Sequence, residues 1–188
     1  MDISLVSAVV ALVLESVVTR KIVEETLLLR RLFPRRESGT AESGPELRSK
    51  LPEFEATLLG TSEVINSTSL RGQQFLLIFL LLKVAQALRP ESLLGIVHGL
   101  VRQVEGPVTL IVFGSAMETS ALVENLNLRM HFGRKLLVVA DESGELCKLF
   151  RVQQWPSAVL YDESGRLRKK GFWDTKSARI GEANSVPN

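Results

Sequence analysis

The chain has 188 residues, 45% hydrophobic and 23% charged, proportions that suit one globular domain with appendages. A net charge of +2, with basic residues not interleaved with aromatics, gives no reason to expect nucleic acid as a partner. One cysteine, Cys147, excludes an intrachain disulfide and a cysteine-based zinc site; His98 and His131 lie far apart in sequence with no ligand at suitable spacing, so no metal and no cofactor is expected.

The run "ISLVSAVVALVL", Ile3 to Leu14, carries no charge, and apolar character continues past Glu15 to Val18. That is about sixteen residues, short of the ~20 that span a hydrocarbon core. Snorkelling of Arg20 and Lys21 and the apolar Ile22 and Val23 extend it, and a single-pass membrane anchor is the first reading. A cleaved signal peptide suits it less, because no basic residue precedes the run and no small-x-small site closes it. The alternative is a buried or coiled-coil helix in a soluble oligomer. "KIVEETLLLRRLF" keeps helical spacing and reads as a juxtamembrane helix ended by Pro34. The expected organisation is therefore an anchor and juxtamembrane helix over 1–33, a polar Ser/Gly-rich linker over 34–50, a folded domain over 51–183 and a tail over 184–188.

Within the domain, "LPEFEATLL" and "EVINSTSL" flank a turn at Gly60 and predict a β-hairpin. "FLLIFLLL" has no alternation and reads as a strand covered on both faces. In "ESLLGIVHGLVRQV", Leu93, Leu94, Val97, Leu100, Val101 and Val104 share one helical face. "GPVTLIVFG" predicts a second buried strand, "METSALVENLNLRM" a second helix, "KLLVVAD" a third strand and "SGELCKLF" a short helix. "SAVLYDESGRLRKKGF" reads as two strands joined by a turn at Asp162 to Gly165, and "DTKSARIGEA" as a last helix. Alternating strands and helices imply an α/β fold with a mixed central sheet flanked by helices.

The segments "LPEFEATLLGTSEVINSTSLRGQQFLLIFL" and "VQQWPSAVLYDESGRLRKKG" resemble the opening and the later signature of redoxin domains in the thioredoxin-like superfamily, a likeness running from about Leu51 to Ala183. The N-terminal run, the linker and "RKKGFWDTKSARI" are most similar to the membrane-anchored accessory proteins of methylamine dehydrogenase maturation, the MauD type. The resemblance implies a thioredoxin-like fold, a C-x-x-C pair directly after the first central strand, and a thiol-disulfide oxidoreductase ancestry. Here the two cysteine positions fall on Val84 and Ala87, which can neither attack a disulfide nor resolve one. The peroxiredoxin pattern P-x-x-x-T-x-x-C is also missing.

Pro156 matches the proline that the superfamily holds cis beside its active site, and the resemblance implies that the backbone at Trp155 pairs with an extended partner peptide. The Trp155 ring is either a contact surface over the cysteine-less site or a plug for it. Lys83, where strand meets helix, reads as solvated charge next to the vestigial pair. Cys147 reads as a small buried hydrophobe; the functional alternative is a lone thiol activated by Lys148 and Arg151. The carboxylates of Asp141, Glu142, Glu145, Asp162 and Glu163 belong to turns and helix starts, and the basic clusters Arg30-Arg31, Arg35-Arg36 and Arg168-Lys169-Lys170 to solvated surface, the first two also suited to anionic lipid.

Two functions are expected to compete: a membrane-tethered, redox-inactive module that binds a client protein and assists its maturation, and an oxidoreductase working through Cys147. The resemblance implies a domain outside the cytoplasmic membrane. The positive charges that follow the apolar run favour the cytoplasmic side.

Overall fold

The computed structural model describes residues 44–172. The anchor over 1–33, the greater part of the linker and the expected helix in "DTKSARIGEA" lie outside the described residues. Among the described residues no helix is long and apolar enough to cross a membrane.

β1 (Glu55–Thr57) and β2 (Val64–Asn66) form the expected antiparallel hairpin, with Ala56 opposite Ile65. A separate five-stranded sheet follows from β3 (Phe75–Leu81), β4 (Val108–Phe113), β5 (Leu136–Ala140), β6 (Ser157–Tyr161) and β7 (Leu167–Phe172), in the order β5-β4-β3-β6-β7. β3 is parallel to β4 and antiparallel to β6, so the sheet is mixed. α1 (Leu82–Ala87) and α2 (Pro90–Val101) join β3 to β4; α3 (Ala116–Asn125) and α4 (Leu128–Phe132) join β4 to β5; α5 (Glu145–Leu149) precedes β6.

The unbroken apolar run of β3 is explained by burial: every residue from Phe75 to Leu80 is essentially sealed from solvent. Side chains alternate along a strand, so both faces are covered. Phe75, Leu77 and Phe79 share a core with Ile65 of the hairpin, Leu51 and Leu70, and with Leu146, Cys147 and Phe150 at α5. On α2 the buried stripe is Leu93, Ile96, Val97, Leu100 and Val101. It differs from the expected face in that Ile96 replaces the half-exposed Leu94. Pro90 occupies the first turn of α2, where its missing N–H costs nothing, and it breaks the path from α1 because the residue before a proline avoids the helical region.

Two expectations are corrected. "METSALVENLNLRM" is two helices, because Asn127 takes a left-handed conformation (φ 49°), tolerated by asparagine, and turns the chain between α3 and α4. The folded part also starts before Leu51. The N–H of Arg48 donates to the carbonyl of Leu167 (2.9 Å), that of Leu167 to Ser49 (3.0 Å), and that of Gly44 to Arg151 (2.9 Å). Polar composition suggested a linker there, but these backbone bonds tie Arg48 and Ser49 to the start of β7 and Gly44 to the turn after α5.

Candidate functional site

The candidate site expected from the sequence lies where β3 ends. α1 leaves the strand directly at Leu82, with no side-chain cap and no acidic residue in its first turn. Gly114, just after β4, makes room for this departure: a Cβ there would fall 2.7 Å from Cβ and Cδ2 of Leu82. Lys83 is exposed, Val84 is buried at 3% exposure, and Ala87, at the last position of α1, is exposed. Neither Val84 nor Ala87 carries a group able to attack, donate a proton or bind a metal.

The Trp155–Pro156 bond is cis, as expected. Ser157 pairs with Phe79, so Pro156 enters β6 alongside the end of β3 from which α1 emerges. Trp155 is half-buried and stacked on Phe113 at the end of β4, ring centroids 5.9 Å apart and planes 16° apart. Gly144 also approaches the Phe113 ring closely. It adopts φ 72°, and a Cβ would lie 3.0 Å from Cε2 of Phe113. Trp155 is thus partly packed against the core and partly open to solvent. Phe113 was not singled out in the sequence, since one aromatic at the end of an apolar strand resembles any core residue.

Cys147 is elsewhere in chemical terms. It is 6% exposed, packed in the core with Phe79, Ile111 and Phe150. Its backbone N–H donates to Oδ2 of Asp141 (2.9 Å), and the N–H of Leu146 donates to Oδ1 (3.3 Å), so this buried carboxylate caps α5. Burial first, then the hydrogen bond and charge of Asp141, push the Cys147 thiol well above its ordinary range. The electropositive setting expected from Lys148 and Arg151 is not what acts on the sulfur; both side chains are exposed. Cys147 is a neutral thiol at physiological pH, unsuited to nucleophilic attack.

The other acidic residues behave as expected of turns and helix starts. Glu142 accepts from the first N–H of α3, at Ala116. Asp162 accepts from the Ser164 hydroxyl (2.6 Å) and from the N–H groups of Arg166 (2.9 Å) and Ser164 (3.0 Å) and pairs with Arg168 (3.1 Å), which together hold its carboxyl below the usual range. Within the basic run, Lys170 is buried at 6% exposure, against the expectation of a solvated cluster. A cavity of about 600 Å³ opens between the hairpin and the end of β5, with Glu55, Asp141, Glu142 and Glu145 in its wall. Its lining comes from residues 55–61, from Ala116 and from residues 139–146, three separate segments, which hid the cavity from sequence reasoning.

No protein-family model matches the chain, and no curated protein matches it. Solved structures do. The thioredoxin domain of a thiol-disulfide oxidoreductase from Bacteroides vulgatus is similar with a TM-score of 0.53 and 10% identity, over 68% of this chain and 89% of that one. The MTB dsbF protein gives 0.51 and 18%, over 67% and 92%. An uncharacterized conserved protein from Geobacillus kaustophilus gives 0.53 and 15%, over 76% and 75%. At these identities the likeness establishes the fold: the described residues form a thioredoxin-like α/β domain with a mixed sheet flanked by helices.

Proposed function

We propose that this thioredoxin-fold chain is a redox-inactive binding module that assists the maturation of a client protein, of which an amine dehydrogenase is the type suggested by the MauD-like sequence features. The observation that carries this reading is the chemistry of positions 84 and 87. Thiol-disulfide exchange needs a thiolate and a resolving thiol, and both places hold aliphatic side chains. The only other sulfur nucleophile, Cys147, is buried and neutral. What the site retains is a recognition surface: the half-exposed Trp155 ring braced by Phe113, with Pro156 at the entry to β6 and Lys83 at the start of α1. A rigid aromatic of this kind suits an anchor for an extended partner segment.

In an insulin assay with dithiothreitol, the purified chain is expected to leave the reduction rate at its uncatalysed value. Acceleration at a rate typical of thioredoxins sinks the redox-inactive reading. The client arm is tested by co-expression with an amine dehydrogenase, where Trp155→Ala is expected to lower the yield of mature enzyme. Membrane tethering through residues 1–33, with the domain on the outer face, is part of the same proposal, and a reporter fused to the C-terminus reads the side directly.

A further inference from the structure

The two histidines, 33 positions apart in sequence, meet in space. His98 sits in the last turn of α2 and His131 on α4, with ring centroids 5.8 Å apart and planes 77° apart. Phe132 packs against both, 4.4 Å from His98 and 6.2 Å from His131. The frame beneath is fixed: Leu100 and Val101 on α2 and Leu128 and Phe132 on α4 are buried.

We propose that His98 and His131 form a two-imidazole site for a borderline transition-metal ion such as Zn2+ or Cu2+, clipping α2 to α4. A metal held about 2.1 Å from one nitrogen of each ring puts the centroids about 5 Å apart at a tetrahedral angle and about 6 Å apart at a wider one. The observed 5.8 Å falls in that interval. Edge-to-face packing alone tolerates the same spacing, and no described protein group hydrogen-bonds either imidazole, so the ring nitrogens are open to a ligand. Imidazole suits zinc, copper and nickel over the oxygen-seeking cations. Among the described residues no third histidine, cysteine, aspartate or glutamate joins the pair, so the ion keeps water in its remaining positions. His131 is exposed and His98 half-buried, which gives the ion a route in.

The full chain is titrated with Zn2+ against a chromophoric chelator, and with Cu2+ under electron paramagnetic resonance. One equivalent is expected to bind, with hyperfine structure from two imidazole nitrogens, and Zn2+ is expected to raise the thermal midpoint. His131→Ala and His98→Gln are each expected to weaken binding at least about tenfold, because each leaves a single imidazole without its chelate partner. Both variants are expected to fold as the parent does, as read by circular dichroism. Failure of the parent to bind either ion overturns the proposal, as does parental affinity in either variant.

Discussion

At the scale of single residues, two buried side chains set how this fold responds to alkali. Burial lifts the Tyr161 hydroxyl above its ordinary value of 10.0, and burial together with Asp141 lifts the Cys147 thiol above 9.0. Both groups are then neutral in the folded state at pH values where the unfolded chain has begun to ionise. Unfolding there releases protons, so their contribution to stability is complete below the unfolded values and is lost as pH rises above them. Each adds a slope of about 1.4 kcal/mol per pH unit. The urea midpoint is expected to hold up to about pH 9 and then fall, and Cys147→Ala to move the onset of the fall up by about one unit. The Tyr161 hydroxyl also lacks a partner among the described residues, while its ring stacks on Phe75 at 5.1 Å. Tyr161→Phe keeps the stack and removes the desolvated oxygen, so urea denaturation is expected to show a gain of about 1 kcal/mol. An equal loss instead means that the hydroxyl is satisfied.

Elements separate glycines that look alike in sequence. Gly95 lies exposed within α2, and a Cβ there meets nothing within 4 Å. Gly95→Ala is expected to stabilise by about 0.5–1 kcal/mol, through helix propensity alone. Gly106, just before β4, is the opposite case. Its Cβ would overlap the carbonyl oxygen of Gln74, backbone that cannot swing aside. Gly106→Ala is expected to cost about 2 kcal/mol or more, and thermal melts of the two variants should move in opposite directions. Only the packed structure tells them apart, because the clash at Gly106 involves a residue 32 positions away. The strands were far more legible. The run of β3 is apolar at every position, and that of β4 at every position but Thr109, because both faces are covered, and the Gly60 and Asp162 turns carry their own local chemistry. The break at Asn127 was not legible, since "METSALVENLNLRM" keeps helical spacing across it.

For the whole molecule, the question is whether cysteines placed at positions 84 and 87 would be enough to make this domain an oxidoreductase. The place of the site was readable from sequence, because a strand running into a helix and a Trp-Pro entry to the next strand are local features. The exposure of each position was not, because it depends on how α1 seats against the β4–α3 connection at Gly114. That seating buries Val84 and exposes Ala87. An attacking thiolate requires access and a positive field. A sulfur at 84 would be sealed from a protein disulfide. One at 87 would be accessible, but at the carboxyl end of α1, where the helix dipole opposes a negative charge. The double variant Val84→Cys/Ala87→Cys is therefore expected to gain two thiols yet catalyse insulin reduction poorly, and the thiolate absorbance of the accessible cysteine should titrate no lower than an ordinary thiol. Thioredoxin-like turnover in that variant would mean that the scaffold needs nothing but two thiols. The geometry of α1, with Val84 buried and Ala87 at its carboxyl end, argues against that outcome and for the binding module proposed above.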